Sequence, residues 1–277
     1  MNKTWFITGA SRGLGAEIAR AALRHGDRVV ATGRQRDAIN HQLGADSERL
    51  FTIALDVSDA EQANKAAGEA VARFGAIDVL VNTAGYGLLG FFEELNMVDV
   101  QNQLATNLFG VFNVTWATLR SMRAARKGHI FNVSSLGGLV GGELSSLYCT
   151  SKFAVEGFSE CLLKELEPFG IGVTIVEPGP FRTDFLSGQS LQFGGSPIAD
   201  YDLRRQQLLD GFEQRNGQQP GNPAKLAEAL VQLAYEPNPP LRFLAGAIAV
   251  QAASAKLDGM LAEIAQWRSV SLATDGE

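Results

Sequence analysis

The chain has 277 residues, 45% of them hydrophobic and 19% charged, which excludes a disordered chain, a coiled-coil rod and a collagen-like repeat. Length divided by ~150 gives a soft expectation of about two domains, although α/β folds of this size often close around one core. The charge sum, 24 − 30 = −6, comes without an acidic or basic block and is a poor basis for nucleic-acid binding, which needs a basic surface against phosphates.

Lys3-Thr4-Trp5-Phe6-Ile7 already reads as a strand, so no signal peptide is expected. Further strands are expected at 28–32, 50–55, 77–82, 128–134, 171–177 and 241–245, the first running over 4–8. Between them, apolar spacings of three and four residues, such as Ile18/Ala22 and Val71/Phe74, predict helices near 13–25, 59–74, 98–124 and 146–168. Strands separated by helices cannot pair as hairpins. The expectation is a Rossmann-type, doubly wound, mostly parallel seven-stranded α/β sheet with helices on both faces. The alternation breaks over 185–222, which is rich in Gly, Gln, Ser and Phe, and helical spacing resumes at 223–235 after Pro220-Gly221-Asn222-Pro223. A long irregular insertion in a compact fold is either disordered or a functional lid. Pro237-Asn238-Pro239-Pro240 then turns the chain into a last strand and a C-terminal helix at 250–268. With no repeat and no linker, one domain is expected over 1–277, with 185–222 as a substrate-binding lid.

The most apolar long stretch, Phe243 to Ala255, is shorter than the ~20 residues of a membrane span, and no membrane association is expected. Cys149 and Cys161 share one predicted helix and lie about 18 Å apart at 1.5 Å per residue, beyond the ~7 Å a disulfide allows. The three histidines are scattered. Neither a metal site nor a disulfide framework is expected, and a reducing cytoplasm suits the cysteine usage.

Glycine is in excess, 30 of 277 residues against about 7% on average, which asks where the backbone must turn tightly or be approached closely. One such place is Thr8-Gly9-Ala10-Ser11-Arg12-Gly13-Leu14-Gly15, between the first strand and the first helix. Glycines there let the backbone approach a pyrophosphate, which meets the free N–H groups of the helix N-terminus; a plain turn is the alternative. NAD-binding folds usually place an acid near the end of the second strand for the ribose 2′-hydroxyl, whereas a basic residue accommodates a 2′-phosphate. Here the strand ends in Gly33-Arg34, and Arg12 could converge on the same phosphate. NADP(H) is therefore preferred, with NAD(H) possible; the alternative is that both arginines, like Arg36, are solvated.

Tyr148 and Lys152 stand four residues apart, on one helical face. Tyrosine ionises near pH 10, too high for general acid–base work at neutral pH, and a nearby ammonium favours the phenolate. Taken in order, the glycine string 9–15, Asn82-Thr83-Ala84-Gly85, Asn107-Leu108-Phe109-Gly110, Ser134-Ser135, Tyr148-xxx-Lys152 and Pro178-Gly179 closely resemble the short-chain dehydrogenase/reductase family from residue 3 to about 185. The stretches 148–157 and 177–185 look closest to its hydroxysteroid- and retinol-dehydrogenase-like branch.

The resemblance implies roles. Tyr148 would give a proton to a carbonyl oxygen in reduction and take it back in oxidation. Lys152 would hold the nicotinamide ribose and lower the tyrosine pKa, Ser135 would hydrogen-bond the substrate oxygen, and Asn107 would anchor a proton-relaying water. Gly9, Ser11, Arg12, Gly13, Leu14 and Gly15 would carry the phosphates with Arg34. Asp56 and Val57 would contact the adenine, Asn82, Ala84 and Gly85 would line the cofactor cleft, Pro178 and Gly179 would join the binding site, and Thr183 would hold the carboxamide. Carbonyl polarisation, one tuned acid and a hydride donor suffice for the reaction. The implied activity is NADP(H)-dependent interconversion of a ketone or aldehyde and its alcohol, by a homodimer or homotetramer joined through helices 98–124 and 146–168.

Two departures stand out: Thr83 replaces the commoner second Asn, and Glu143 stands where that branch often has proline, which puts a purely apolar substrate in doubt. Leu144, Phe181, Phe185, Leu186, Phe193 and Tyr201 lie on segments expected around the pocket. They suit a fairly hydrophobic small molecule or, equally, packing of the lid onto the body. Two other classes remain. A non-catalytic NADP(H)-sensing regulator has no need of a tuned phenol. An epimerase or dehydratase of the longer nucleotide-sugar branch usually carries a larger C-terminal domain than the 277 − 183 = 94 residues that follow Thr183.

Overall fold

The seven apolar runs read as strands form one sheet. The computed structural model describes residues 2–183, 185 and 190–276. In chain order its strands are β1 (Thr4–Ile7), β2 (Arg28–Gly33), β3 (Leu50–Ala54), β4 (Val79–Asn82), β5 (Gly87–Leu89), β6 (Gly128–Val133), β7 (Ile171–Pro178), β8 (Leu191–Phe193) and β9 (Arg242–Ala245). Its helices are α1 (Gly13–His25), α2 (Arg36–Leu43), α3 (Ala60–Phe74), α4 (Met97–Leu104), α5 (Gly110–Ala125), α6 (Ser146–Leu166), α7 (Asp202–Arg215), α8 (Pro223–Tyr235) and α9 (Ala247–Leu272). The large sheet is parallel throughout, in the order β3-β2-β1-β4-β6-β7-β9. This is the Rossmann-type doubly wound fold.

Alternation along the strands builds the two cores. Trp5, Ile7, Val29 and Val79 pack with Ile18 and Ala22 of α1 and Ala227 and Leu230 of α8. Phe6, Val30, Leu80 and Ile130 point the other way, onto Ala63 and Ala66 of α3, Val114 and Met122 of α5, and Leu162 of α6. Both faces are covered, so the inner strands must be apolar at every position, which is why they read so clearly. The order reverses between β1 and β4, and in such sheets the crevice beyond the strand ends at that reversal is where ligands bind.

Four expectations change. The predicted helix 98–124 is α4 and α5 joined by a π-helical turn, Ala105–Phe109; one extra residue in the turn leaves the apolar spacing nearly intact, so the sequence hides it. The 185–222 stretch is not irregular where described: β8 pairs in parallel with β5, and α7 follows. Helix α7 escapes a periodicity reading because none of its residues is fully buried. Helix α2 was also missed, having only Ile39 buried. The C-terminal helix is longer than 250–268, extending from Ala247 to Leu272.

Candidate active site

The glycine loop is shaped by contacts that exclude side chains. Gly9 and Gly13 have φ of +67° and +52°, the left-handed region that favours glycine. A Cβ on Gly15 would sit 2.4 Å from the Gly9 carbonyl oxygen, and one on Gly9 would sit 3.0 Å from the Ala84 Cα. The Thr8 hydroxyl, buried at the end of β1, accepts from the backbone N–H groups of Thr83 (3.0 Å) and Ala84 (3.1 Å). The loops after β1 and β4 are thereby locked together at the reversal of strand order.

Arg12 stands at the N-cap of α1 in an extended conformation and makes no side-chain cap, and the first turn holds no acid. Among the described residues no side chain caps the first N–H groups of α1, the groups that meet an anion at a helix N-terminus. Thr183 lies against Gly13, 3.7 Å from where a Cβ would be. A cavity of about 500 Å³ borders this loop, lined among others by Arg12, Gly13, Arg20, Arg182, Thr183 and Gln219. Beyond β2, Gly33 lies beside Ser11 and Arg34 is exposed; Arg36 instead pairs with Asp46. Asp56 accepts from the Ser58 N–H (3.0 Å) and hydroxyl (2.7 Å). Val57 turns its side chain onto Gly110 and its carbonyl to Asn113.

Asn82 turns its side chain into the protein. Its side chain is buried, donating to Thr115 Oγ1 (3.1 Å) and to Asn132 Oδ1 (2.9 Å). Asn132, which the sequence reading missed, passes the chain on to Ser159 (2.8 Å).

The π turn places Asn107 facing α6 and the loop after β4. Its amide donates to the Tyr86 carbonyl (2.9 Å) and the Ser151 hydroxyl (3.2 Å), and its Oδ1 accepts from the Tyr86 N–H (3.1 Å). A Cβ on Gly85 would lie 3.1 Å from Asn107 Oδ1 and 3.8 Å from Lys152 Nζ, so all three meet. Ser135 follows β6 and accepts from the Gly137 N–H (3.0 Å). A Cβ on Gly137 would lie 3.2 Å from the Tyr148 ring and 3.5 Å from Ser135 Oγ. Lys152 donates to the Val133 carbonyl (2.8 Å), and its Nζ is 5.9 Å from the Tyr148 ring centroid.

Burial pushes the Tyr148 phenol up to about 12, opposed by a hydrogen bond with Ser135. Burial also lowers Lys152 to about 8, opposed by the Glu156 carboxylate one helical turn on. The lysine is expected to draw the phenol toward neutral pH, and burial acts in the other direction.

Residues expected at the pocket divide. Phe185 meets Tyr148 at 5.7 Å between ring centroids, and Leu144 is buried with Leu89 and Leu191 against Phe91, Leu208 and Phe212. Phe181 instead fills the space over Gly221 in the core beside β1, Phe193 is exposed, and Leu186 lies outside the described residues. Tyr201 stacks on Phe91 (4.3 Å) and donates to Glu93. Glu143 is exposed and paired with Arg204 of α7, which holds its carboxyl below the usual range.

A family model described as short chain dehydrogenase matches residues 3–192. The chain belongs to the short-chain dehydrogenase family. This short-chain dehydrogenase is 39% identical over 275 residues to oxidoreductase BOA17 of Botryotinia fuckeliana, across 99% of this chain and 100% of that one. It is 34% identical over 253 residues to retinol dehydrogenase 8 of Homo sapiens, across 87% and 80%. A solved short-chain dehydrogenase from Streptomyces avermitilis is similar with a TM-score of 0.89 and 38% identity, over 99% of this chain and 98% of that one. The structure of ElxO with NADP bound gives 0.71 and 30%, over 86% and 94%. The family read from the motifs is thus borne out, and the protein is an oxidoreductase of that family.

In this short-chain dehydrogenase sequence reasoning missed a partly buried ionic cluster whose Glu156 lies one helical turn beyond Lys152. Arg242 of β9 holds Glu156 and Glu160 of α6 and Glu177 of β7. Burial and the neighbouring Glu156 raise Glu177 to about 7. Also missed was Glu94, buried, which accepts from the Ile198 N–H (2.9 Å) and pairs with Arg205 of α7. The partners stand 111 residues apart in sequence, so no local pattern announces them. Among the described residues no helix is long and apolar enough to cross a membrane.

Proposed function

We propose that this protein interconverts a ketone or aldehyde and the corresponding alcohol with NADP(H), using Tyr148 as general acid and base. The observation that carries the reading is the meeting of Ser135, Tyr148, Lys152 and Asn107 around Gly85 and Gly137, beside a loop whose glycines leave room only for backbone. That loop suits a dinucleotide: a Cβ at Gly9 or Gly15 would fill the cradle, and among the described residues no side chain caps the first N–H groups of α1. Gly9, Ser11, Arg12, Gly13, Leu14 and Gly15 would hold the phosphates, Arg34 the 2′-phosphate, Asp56 and Val57 the adenine, Ala84 and Gly85 the cleft wall, Lys152 the ribose, and Pro178, Gly179 and Thr183 the nicotinamide end. The nicotinamide supplies or accepts the hydride.

The rest is done by the chain. Ser135 and Tyr148 share the carbonyl oxygen, and Tyr148 Oη gives it a proton as negative charge develops there. Asn107, fixed by three hydrogen bonds, supports the route by which that proton is replaced. A phenol held near 12 is protonated at neutral pH, the form needed for reduction; oxidation needs the phenolate and speeds up as pH rises.

A fairly hydrophobic substrate is supported by Phe185 against Tyr148 and by the Leu89, Leu144 and Leu191 cluster. Residues 185–222 act in this reading as a lid within one domain over 1–277. Exposed Phe109, Trp116 and Phe153 on the turn before α5, on α5 and on α6 support a homodimer or homotetramer joined there. The free cysteines, Cys149 and Cys161, suit a cytoplasmic protein. A panel of ketones, aldehydes and alcohols, followed by nicotinamide absorbance with NADPH and NADH, tests the reading. Turnover with a preference for NADPH is expected; no turnover on any class, or undiminished turnover in Tyr148→Phe, overturns it.

A further inference from the structure

Glu156 stands one turn beyond Lys152 on α6, and the two side chains end beside consecutive residues where β6 stops. Lys152 donates to the Val133 carbonyl. Glu156 Oε1 and Ser134 Oγ flank Gly138, 2.6 and 2.3 Å from where its Cβ would be. The Ser134 N–H donates to the Val176 carbonyl (2.8 Å), which brings Glu177, the next residue of β7, to the same place.

Arg242 closes the cluster from β9. Its Nη1 donates to Glu156 Oε2 and to Glu177 Oε1, and its Nη2 donates to Glu160. Three carboxylates on one guanidinium leave an excess of negative charge. Glu160 is half in solvent, but the Glu156 and Glu177 side chains are only 6% and 0% exposed. Their other oxygens, Glu156 Oε1 and Glu177 Oε2, have no hydrogen-bond partner and no open surface. The two carboxyls are within hydrogen-bonding reach of each other. Buried carboxylates side by side do not both ionise cheaply, and one proton between them supplies the bond that both oxygens lack.

We propose that Glu177 is a positioning residue for the reaction: it shares one proton with Glu156, and through Glu156 it sets the charge that faces Lys152. Among the described residues, the other charged groups facing the pair are Lys152 and Glu160 from α6 and Arg242 from β9. The turn after β6 brings Ser134 and Gly138, both uncharged. Helix α9, which packs on β9 and on that turn, carries no charge over 247–255. The inference rests on the role given to Lys152 above.

Glu177 holds its proton to about pH 7, and Lys152 keeps its own to about 8. The order matters. As pH rises the pair loses its proton first, and the added negative charge favours the Lys152 ammonium. Reduction therefore runs to a higher pH than it would beside a pair fixed in its protonated state.

The test joins infrared spectroscopy to a pH profile of the full chain. Surface carboxyls are ionised by about pH 6. A protonated-carboxyl stretch that persists there, fades by about pH 8 and is missing in Glu177→Gln is the expected result. Its absence from the wild-type chain overturns the shared proton. Glu177→Gln keeps the shape of the protonated acid but cannot take up the second charge. Its alkaline limb in kcat/KM for ketone reduction is expected about 0.5 pH units below that of the wild-type chain. Glu160→Gln, which removes a half-exposed carboxylate from the same guanidinium, is expected to leave the limb in place. An unmoved limb in Glu177→Gln, whatever its melting temperature, overturns the positioning role, as does an equal shift in Glu160→Gln. No turnover in the wild-type chain overturns the catalytic reading and the role of Glu177 with it; a retained infrared band then still upholds the shared proton.

Discussion

The glycine loop and helix α7 are held by different means. Around residues 9–15 the fit is backbone on backbone: an added Cβ at Gly15 meets the Gly9 carbonyl at 2.4 Å, and Thr8 pins the neighbouring loop through two N–H groups. Helix α7 buries none of its residues completely and is moored by ionised side chains, Arg205 to Glu94 and Arg204 to Glu143. A loop that touches a constant ligand through its own amides tolerates no displacement. Helix α7 also packs Leu208 and Phe212 on the small cluster of Leu89, Leu144 and Leu191, apart from the two cores that flank the sheet, so it can loosen without opening the body, which suits a cover over a site that must open.

The largest effect should come from neither region but from the chemistry between them. Tyr148→Phe removes one hydroxyl and is expected to lower kcat about 10³-fold while melting temperature and cofactor affinity stay at wild-type values. This sets the baseline: any variant that loses activity through binding must instead move KM or the melting temperature. In the glycine loop, Gly15→Ala presses a methyl into immovable backbone and should cost about 2 kcal/mol, lowering the melting temperature by about 6 °C. Gly68→Ala is the control, since nothing lies within 4 Å of that site in the middle of α3; it should be neutral or slightly stabilising. Equal losses in the two variants would erase the contrast drawn above.

Next in size is the pH dependence of reduction. Tyr148, near 12, stays protonated across the neutral range, so the alkaline limb belongs to Lys152. Its charged form is present below about pH 8 and lost above, so kcat/KM for reduction should fall above about pH 8. The negative charge on Glu156 raises the lysine pKa, and Glu156→Gln should therefore move that limb to lower pH. A limb unmoved in Glu156→Gln would falsify the assignment to Lys152.

These contrasts explain what was legible in the sequence. The seven sheet strands lie between covered faces, so each is an apolar run visible without its neighbours. The glycine loop and the Tyr148/Lys152 spacing are local as well, and a structure built from i to i+4 relations is written locally. Asn82 looked like a cleft residue because the motif is linear, yet its amide turns inward to Thr115 and Asn132. The π turn at Asn107 hides because one inserted residue barely disturbs the apolar period. The anchors of the far segment are invisible for a different reason. Glu94 and Arg205 each read as ordinary surface charges, and only the pairing of β5 with β8 brings their segments together.

Two variants sharpen the difference between the moorings themselves. Glu94→Gln removes the charge from the buried anchor but keeps its shape, and loosening of the 190–212 segment should raise substrate KM about tenfold with kcat nearly unchanged. The smallest effect is expected at the exposed pair. Glu143 and Arg204 are each half in solvent, where an ion pair gains little over its hydration. Arg204→Ala should therefore change KM by no more than about twofold at physiological salt. The same variant frees the Glu143 carboxylate, so an apolar substrate and an acidic one, compared at low salt, should diverge, with the acidic one losing more. If Arg204→Ala matches Glu94→Gln in KM, the exposed pair is the true mooring of α7, and burial of Glu94 serves the β5 edge instead.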